Sequence, residues 1–192
     1  MKRIKLILLS GLLITLALVF PVNAAVTVVN FDELVGQNIV PDGYAGLNWD
    51  PNWWYYGWDQ SPWNAHSPPN RIYSYYPAWI GFSNPVYFKG AWLAGTDTQE
   101  IYFEGYKNGV KIGQSSTLTL SETPIFLDSG FSTDIDKVVV VCSSNFGFAL
   151  DDITYEDVIN APEFPSAFLP AAMIIGFLGA VLLIQRTTRI SQ

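Results

Sequence analysis

Glu100-Ile101-Tyr102-Phe103-Glu104-Gly105-Tyr106-Lys107-Asn108-Gly109-Val110-Lys111-Ile112-Gly113-Gln114 decides the fold. Its flanks are short alternating runs without a helical period, and alternation of period two marks a half-buried strand. At the centre, Asn108-Gly109 supplies two adjacent residues that tolerate φ > 0, as a type I′ hairpin turn requires. The stretch therefore predicts a hairpin over residues 100–118. Outward from it, similar short runs punctuated by Gly, Pro and Asn predict strands over residues 26–30, 44–49, 86–93, 125–127, 137–142 and 146–155. Six or more short antiparallel strands at this spacing predict an all-β fold, an antiparallel β-sandwich of the jelly-roll type.

The ends of the chain read differently. Lys2, Arg3 and Lys5 precede an apolar run from Leu6 to Phe20 and then Pro21-Val22-Asn23-Ala24-Ala25, with small residues placed for cleavage. That pattern is a secretory signal peptide over residues 1–24, with an uncleaved N-terminal anchor as the alternative; either implies export. At the other end residues 164–184 carry no charge and are followed by Arg186 and Arg189. A transmembrane helix is predicted there, with the arginines cytoplasmic and the preceding chain outside, a type I topology. Pro165 and Pro170 place the start of the regular helix near Ala171.

Between the ends lies one expected domain, residues 25–160, followed by a tail over residues 161–192. Sixteen acids stand there against Arg71, Lys89, Lys107, Lys111 and Lys137, a net charge of −11. Such a surface argues against nucleic-acid partners. The whole chain of 192 residues has one Cys and one His, which excludes an intrachain disulfide and the usual zinc centres. It has no Asn-x-Ser/Thr sequon.

Pro162-Glu163-Phe164, directly before an apolar span that ends in basic residues, resembles the PEF-CTERM sorting tail of archaeal surface proteins. The resemblance implies an archaeosortase-type transpeptidase as partner, which would remove the span and transfer the body to a surface anchor. A plain type I membrane anchor is the alternative. Phe31-Asp32-Glu33-Leu34, then residues 39–49, the Asn-Gly hairpin and Phe148-Ala149-Leu150-Asp151-Asp152-Ile153-Thr154-Tyr155 are similar to a group of exported, surface-sorted jelly-roll domains of galactose-binding type. No catalytic residues are implied by that likeness.

All seven tryptophans fall between Trp49 and Trp92, and the run over residues 50–67 is crowded with rings and turn residues. It reads as an aromatic-rich loop whose rings cannot all be core. Exposed Trp and Tyr beside Asp, Asn and Gln offer flat apolar faces next to hydrogen-bonding groups, the combination a sugar ring needs. Trp53, Trp54, Tyr55, Tyr56, Trp58 and Trp63 are the candidate platform. A surface-displayed, non-catalytic carbohydrate-binding module is the leading expectation. The alternatives are a ring lid over one end of the sandwich and a protein contact within the cell envelope, as structural component or interaction module.

Asp32, Glu33, Asp151 and Asp152 form a second candidate site, for Ca²⁺, since hard oxygen ligands suit that ion and a sandwich brings chain ends together. Strand alternation allows only one of Asp151 and Asp152 on a given face, and solvated acids are the alternative. Asp134-Ile135-Asp136 is too short for a calcium loop. Catalysis has little support: His66 reads as an exposed loop residue without a role, no Gly-x-Ser-x-Gly elbow is present, and Cys142 reads as a buried, inert thiol. A glycosidase needs two carboxylates, but no pair is singled out.

Overall fold

The computed structural model describes residues 24–158 and, in the tail, the helical positions Gly176, Gly179, Val181 and Arg186. The expected signal peptide lies, apart from Ala24, outside the described residues. So do Pro162-Glu163-Phe164 and, apart from Gly176, Gly179 and Val181, the span expected over residues 164–184. Among the described residues no helix is long and apolar enough to cross a membrane.

The fold is all-β. The strands are β1 (Val26–Val29), β2 (Gln37–Ile39), β3 (Leu47–Trp49), β4 (Trp54–Tyr56), β5 (Arg71–Ser74), β6 (Ala78–Ala94), β7 (Glu100–Lys107), β8 (Val110–Gln114), β9 (Leu118–Thr119), β10 (Ile125–Asp128), β11 (Ile135–Cys142) and β12 (Phe148–Asp157). They form one antiparallel sheet in the order β2-β4-β5-β12-β6-β11-β7-β8, with β1 on β12, β3 and β10 on β6, and β9 on β7. The predicted hairpin is β7–β8. Asn108 and Gly109 have φ of 51° and 77°, and Lys107 pairs with Val110 across them. Ile101 and Phe103 are buried while Glu104 and Tyr106 face outward. The two acids of Asp134-Ile135-Asp136 brace this turn, Asp134 accepting from Lys107 Nζ at 2.6 Å and Asp136 from the Asn108 amide.

Four expectations change. The run 44–49 is extended only over β3, because Gly43, Ala45 and Gly46 all have φ > 0 and wind a 3-10 turn over Tyr44–Gly46. The run 110–118 breaks at Ser115, which exchanges hydrogen bonds with Phe103 through its amide and its hydroxyl, so a side chain stands in the ladder. Cys142 is half-buried and accepts from Gln99 Nε2 at 3.5 Å. The largest change is β6. It begins eight residues before the predicted run and passes through Asn84-Pro85. Pro85 lacks an amide hydrogen, and it is tolerated because the pairing of β6 with β11 jumps there from Val86↔Ile135 to Gly81↔Lys137.

The two halves of β6 consequently have largely different neighbours: Ala78–Phe82 pairs β3 and β11, whereas Val86–Ala94 pairs β12 and, over residues 90–93, β10, with β11 reached only at Val86. Apolar side chains from both sets meet in one core. Phe88 packs edge-on against Phe103 of β7 at 5.1 Å, and Phe82 against Tyr155 of β12 at 5.3 Å. Each fully buried side chain of this size contributes about 1.5–3 kcal/mol relative to exposure.

Gly90 is the tightest point of this arrangement. Its φ is +150°, and a Cβ added there would lie 2.1 Å from the carbonyl oxygen of Leu127 on β10. Gly90→Ala should therefore destabilise the protein by about 2–4 kcal/mol through strain and overpacking. The measurement is thermal unfolding, with Tm expected to fall by roughly 10 °C; an unchanged Tm would show that β10 can move away.

Candidate functional site

The expected loop over residues 50–67 is not wholly a loop, because it contains β4. Its entry is a turn closed by Asp50, which accepts from the Asn52 amide at 2.9 Å through its carboxylate and from the Trp53 amide at 3.0 Å through its carbonyl. This turn drives Trp53 inward. Its ring is fully buried, its indole donates to Trp79 O at 2.9 Å, and it packs at 90° on Phe148. Trp53 is thus core and leaves the candidate platform. Tyr55 also turns to the core, because neighbours along a strand face opposite ways. Trp54 and Tyr56 face outward.

Residues directly opposite one another in antiparallel strands share a face. Gln37, Tyr56 and Arg71 form one rung across β2, β4 and β5, and Ile39, Trp54 and Tyr73 form the next. The segment from Gly57 to Ser67 folds back over this outer face and is pinned at several points. Ser61 Oγ donates to the Glu122 carboxylate at 2.7 Å, Asn64 Nδ2 to Glu122 O at 2.9 Å, and Trp63 Nε1 to Gly147 O at 3.1 Å. Between flap and sheet lies an open cleft with about 390 Å³ of empty space, the solvent at its mouth included. Gln37, Tyr56, Arg71, Tyr73 and Tyr75 line it from the sheet side, and Gln60, Trp63, Gly147 and Phe148 complete it.

Its walls are mutually braced rings. Tyr56 meets Trp58 edge-on at 5.0 Å and Tyr73 at 6.4 Å, and Tyr73 meets Tyr75 at 5.7 Å. Trp58 and Tyr75 remain 54% and 51% exposed. Gln37 Nε2 donates to the Tyr73 hydroxyl at 2.7 Å, and burial raises the pKa of Tyr73, so the hydroxyl stays protonated at neutral pH. Arg71 lies at the base, only 2% exposed. Its guanidinium stands 4.9 Å from the Tyr56 ring centroid and donates through Nη1 to Trp58 O, while Nε is buried without a partner. Burial lowers its pKa, yet an arginine remains charged in any such setting.

Tyr56 and Trp63 of the predicted platform thus line the cleft, Trp58 flanks Tyr56, and Trp54 occupies the adjoining rung. Gln37, Gln60, Arg71, Tyr73 and Tyr75 were not singled out from the sequence. The available signal was Arg71-Ile72-Tyr73-Ser74-Tyr75, an alternation that places Arg71, Tyr73 and Tyr75 on one parity.

The acidic pairs do different work. Asp152 has φ of 47°, and the pairing of β12 with β6 slips between Asp151 and Thr154. This bulge defeats the expected alternation and turns both carboxylates toward Ser67. Asp151 accepts from the Ser67 amide at 2.8 Å and its hydroxyl at 3.0 Å, and Asp152 lies 3.2 Å from the same hydroxyl. Asp152 also bonds His66 Nδ1, and the imidazole stacks on Trp92 at 3.5 Å. His66 therefore has a structural role, closing the end of the flap. Ser67 donates to carboxylates rather than to His66, so the imidazole is not poised to take its proton. Asp32 instead accepts from Asn30 Nδ2 at 2.6 Å, and burial, with the Glu33 carboxylate adding to it, raises the Tyr44 pKa. Among the described residues no group of three or more His, Cys, Asp or Glu is arranged to hold a metal ion.

Burial pushes the Asp151 carboxyl up to about 6, with the Asp152 charge adding to it against the Ser67 hydrogen bonds. The unfolded carboxyl releases its proton near 3.8, so the folded chain holds an extra proton in between and stability falls as pH rises through that window. Compared with Asp151→Asn, the native protein should lose on the order of 3 kcal/mol between about pH 4 and 7. Thermal melts of both proteins across that range test this; parallel Tm curves would place Asp151 in an unperturbed setting.

The chain matches no family model, no curated protein and no solved structure, so the reading of the cleft rests on its own side chains.

Proposed function

We propose that the chain is an exported, surface-displayed, non-catalytic carbohydrate-binding module on a jelly-roll-type sandwich, with its C-terminal tail processed or anchored at the membrane by an archaeosortase-type transpeptidase. The change of partners along β6 and the Phe88–Phe103 contact support the sandwich. The signal-like N-terminus and the Pro162-Glu163-Phe164 tail support display. The binding role is carried by one observation, a concave cleft walled by Tyr56, Trp63, Tyr73 and Tyr75 with the amides of Gln37 and Gln60 at its rim. Sugars present apolar C–H faces and a fringe of hydroxyls, and this site pairs the complementary groups.

The test is retention of the full chain, purified in detergent, on an oligosaccharide array. Trp58→Ala and Tyr75→Ala should each abolish or strongly weaken retention with Tm unchanged within a few degrees, because both rings are half exposed. Trp53→Ala should act through folding, costing about 3–5 kcal/mol. Retention that survives both surface substitutions would remove the cleft from the reading. Absence of any retained glycan would favour a protein contact in the envelope.

Display is checked separately, by mass spectrometry of the native surface protein. Cleavage before Ala25 and absence of peptides beyond Phe164 are the expected results. Intact Arg186 and Arg189 on that protein would identify a plain membrane anchor.

A further inference from the structure

Arg71 sets the cleft apart from a generic aromatic platform. Of the five basic residues between residues 25 and 160, Lys89, Lys107 and Lys111 are ion-paired at 2.6–2.8 Å, with Glu156, Asp134 and Glu104, and Lys137 lies over the Tyr106 ring. Arg71 is the buried one, and among the described residues no carboxylate is ion-paired with it within 4.0 Å. Asp59 and Asp151 act on it only at longer range, alongside Tyr56 and Tyr73. Among the described residues its five N–H donors serve a single protein acceptor, Trp58 O, and Nε is sealed from water with nothing to bond. A buried cation with no anion in contact is costly even after relaxation, and natural structures rarely leave such a donor idle.

We infer that the cleft selects a carboxylate-bearing sugar, a uronic acid residue of an acidic glycan, with the carboxylate on Arg71 and the ring against the tyrosine walls. This rests on the carbohydrate-binding reading of the same cleft. A neutral sugar offers the cation hydroxyl acceptors but no opposite charge, and covering the cation desolvates it further. Nε itself is sealed, so a carboxylate meets the guanidinium at its Nη atoms, where charge-assisted hydrogen bonds compensate the cation. A single cation balances the single charge of a carboxylate, whereas a doubly charged phosphate would remain half uncompensated. Gln37 and Gln60 are then left for ring hydroxyls.

The experiment uses the full chain in detergent and a panel of glucuronate-, galacturonate- and mannuronate-containing oligosaccharides, each beside its own methyl ester and its neutral hexose counterpart. Esterification removes the charge and keeps the ring, so the comparison needs no variant. The acid of at least one pair should bind about tenfold or more tighter than its ester, as expected for charge-assisted hydrogen bonds. Arg71→Gln should erase that advantage, and Tyr75→Ala should weaken acid and ester alike. Should Arg71→Gln fail to fold, as judged by its melt, the acid–ester ratio decides by itself. Binding of neutral sugars or esters as tight as that of the acids, or a preference for sulfated sugars, would overturn the inference and leave the module reading in place. Failure of every glycan would overturn both.

Discussion

The domain depends on one strand changing partners half way along its length. β6 spans seventeen residues, and its two halves belong to different neighbourhoods because Asn84-Pro85 interrupts the ladder on the β11 side. Proline in the middle of a sheet normally excludes a strand. Here the interruption is the means by which the chain bends, so that side chains of both halves, Phe82 and Phe88, turn into one core. A bend of this kind needs room for backbone to approach backbone. Gly90 supplies it where β12 bulges and β10 packs closest, and a residue with a side chain would push β10 off the core.

The cleft is a consequence of how the aromatic segment is held at its two ends. At the start, Trp53 is driven into the core, and burial of an indole with a satisfied N–H stabilises far more than surface exposure of any other ring in the segment. At the end, Ser67 and His66 are clasped by Asp151 and Asp152. The clasp uses a backbone conformation that costs of order 1 kcal/mol for a non-glycine residue and a carboxylate whose charged form burial disfavours. What these costs maintain is the flap. With both ends fixed, Gly57 to Ser67 must arch over the rung of Gln37, Tyr56 and Arg71, and the space beneath it is the cleft.

The hairpin was legible because Asn108-Gly109 is a local signal: turn chemistry and alternation are properties of neighbouring residues. Where a strand is defined by its partners, local reading fails. Trp53-Trp54-Tyr55-Tyr56 has no polarity alternation, so the sequence shows rings but not which of them faces the core; the Asp50 turn and the pairing with β5 decide that. Arg71 entered the sequence only as one of five bases. Its burial follows from the flap, which is held by Glu122, Gly147 and Asp151, residues that lie far from it along the chain. Asp151 and Asp152 were found as a pair, but their expected facing to opposite sides fails, since alternation assumes regular backbone and the bulge at Asp152 breaks it. The charge pattern was legible for the opposite reason, being compositional and independent of any contact.

For so acidic a domain the proposed acidic ligand looks contradictory, and distance resolves it. The surface charges act through water, where the Debye length is about 8 Å at physiological ionic strength, so their repulsion of one carboxylate is weak and further reduced by salt. Arg71 acts at contact distance in a place from which water is largely excluded, where the same charge counts several times more. The acidic surface then contributes selectivity. A polyanion lying along the domain would meet repulsion over its whole length and one attractive point, whereas a single acidic residue at a chain end or branch meets mainly the attraction. On the proposed reading, the arrangement favours recognition of one sugar acid at a time over electrostatic adhesion to any anionic polymer.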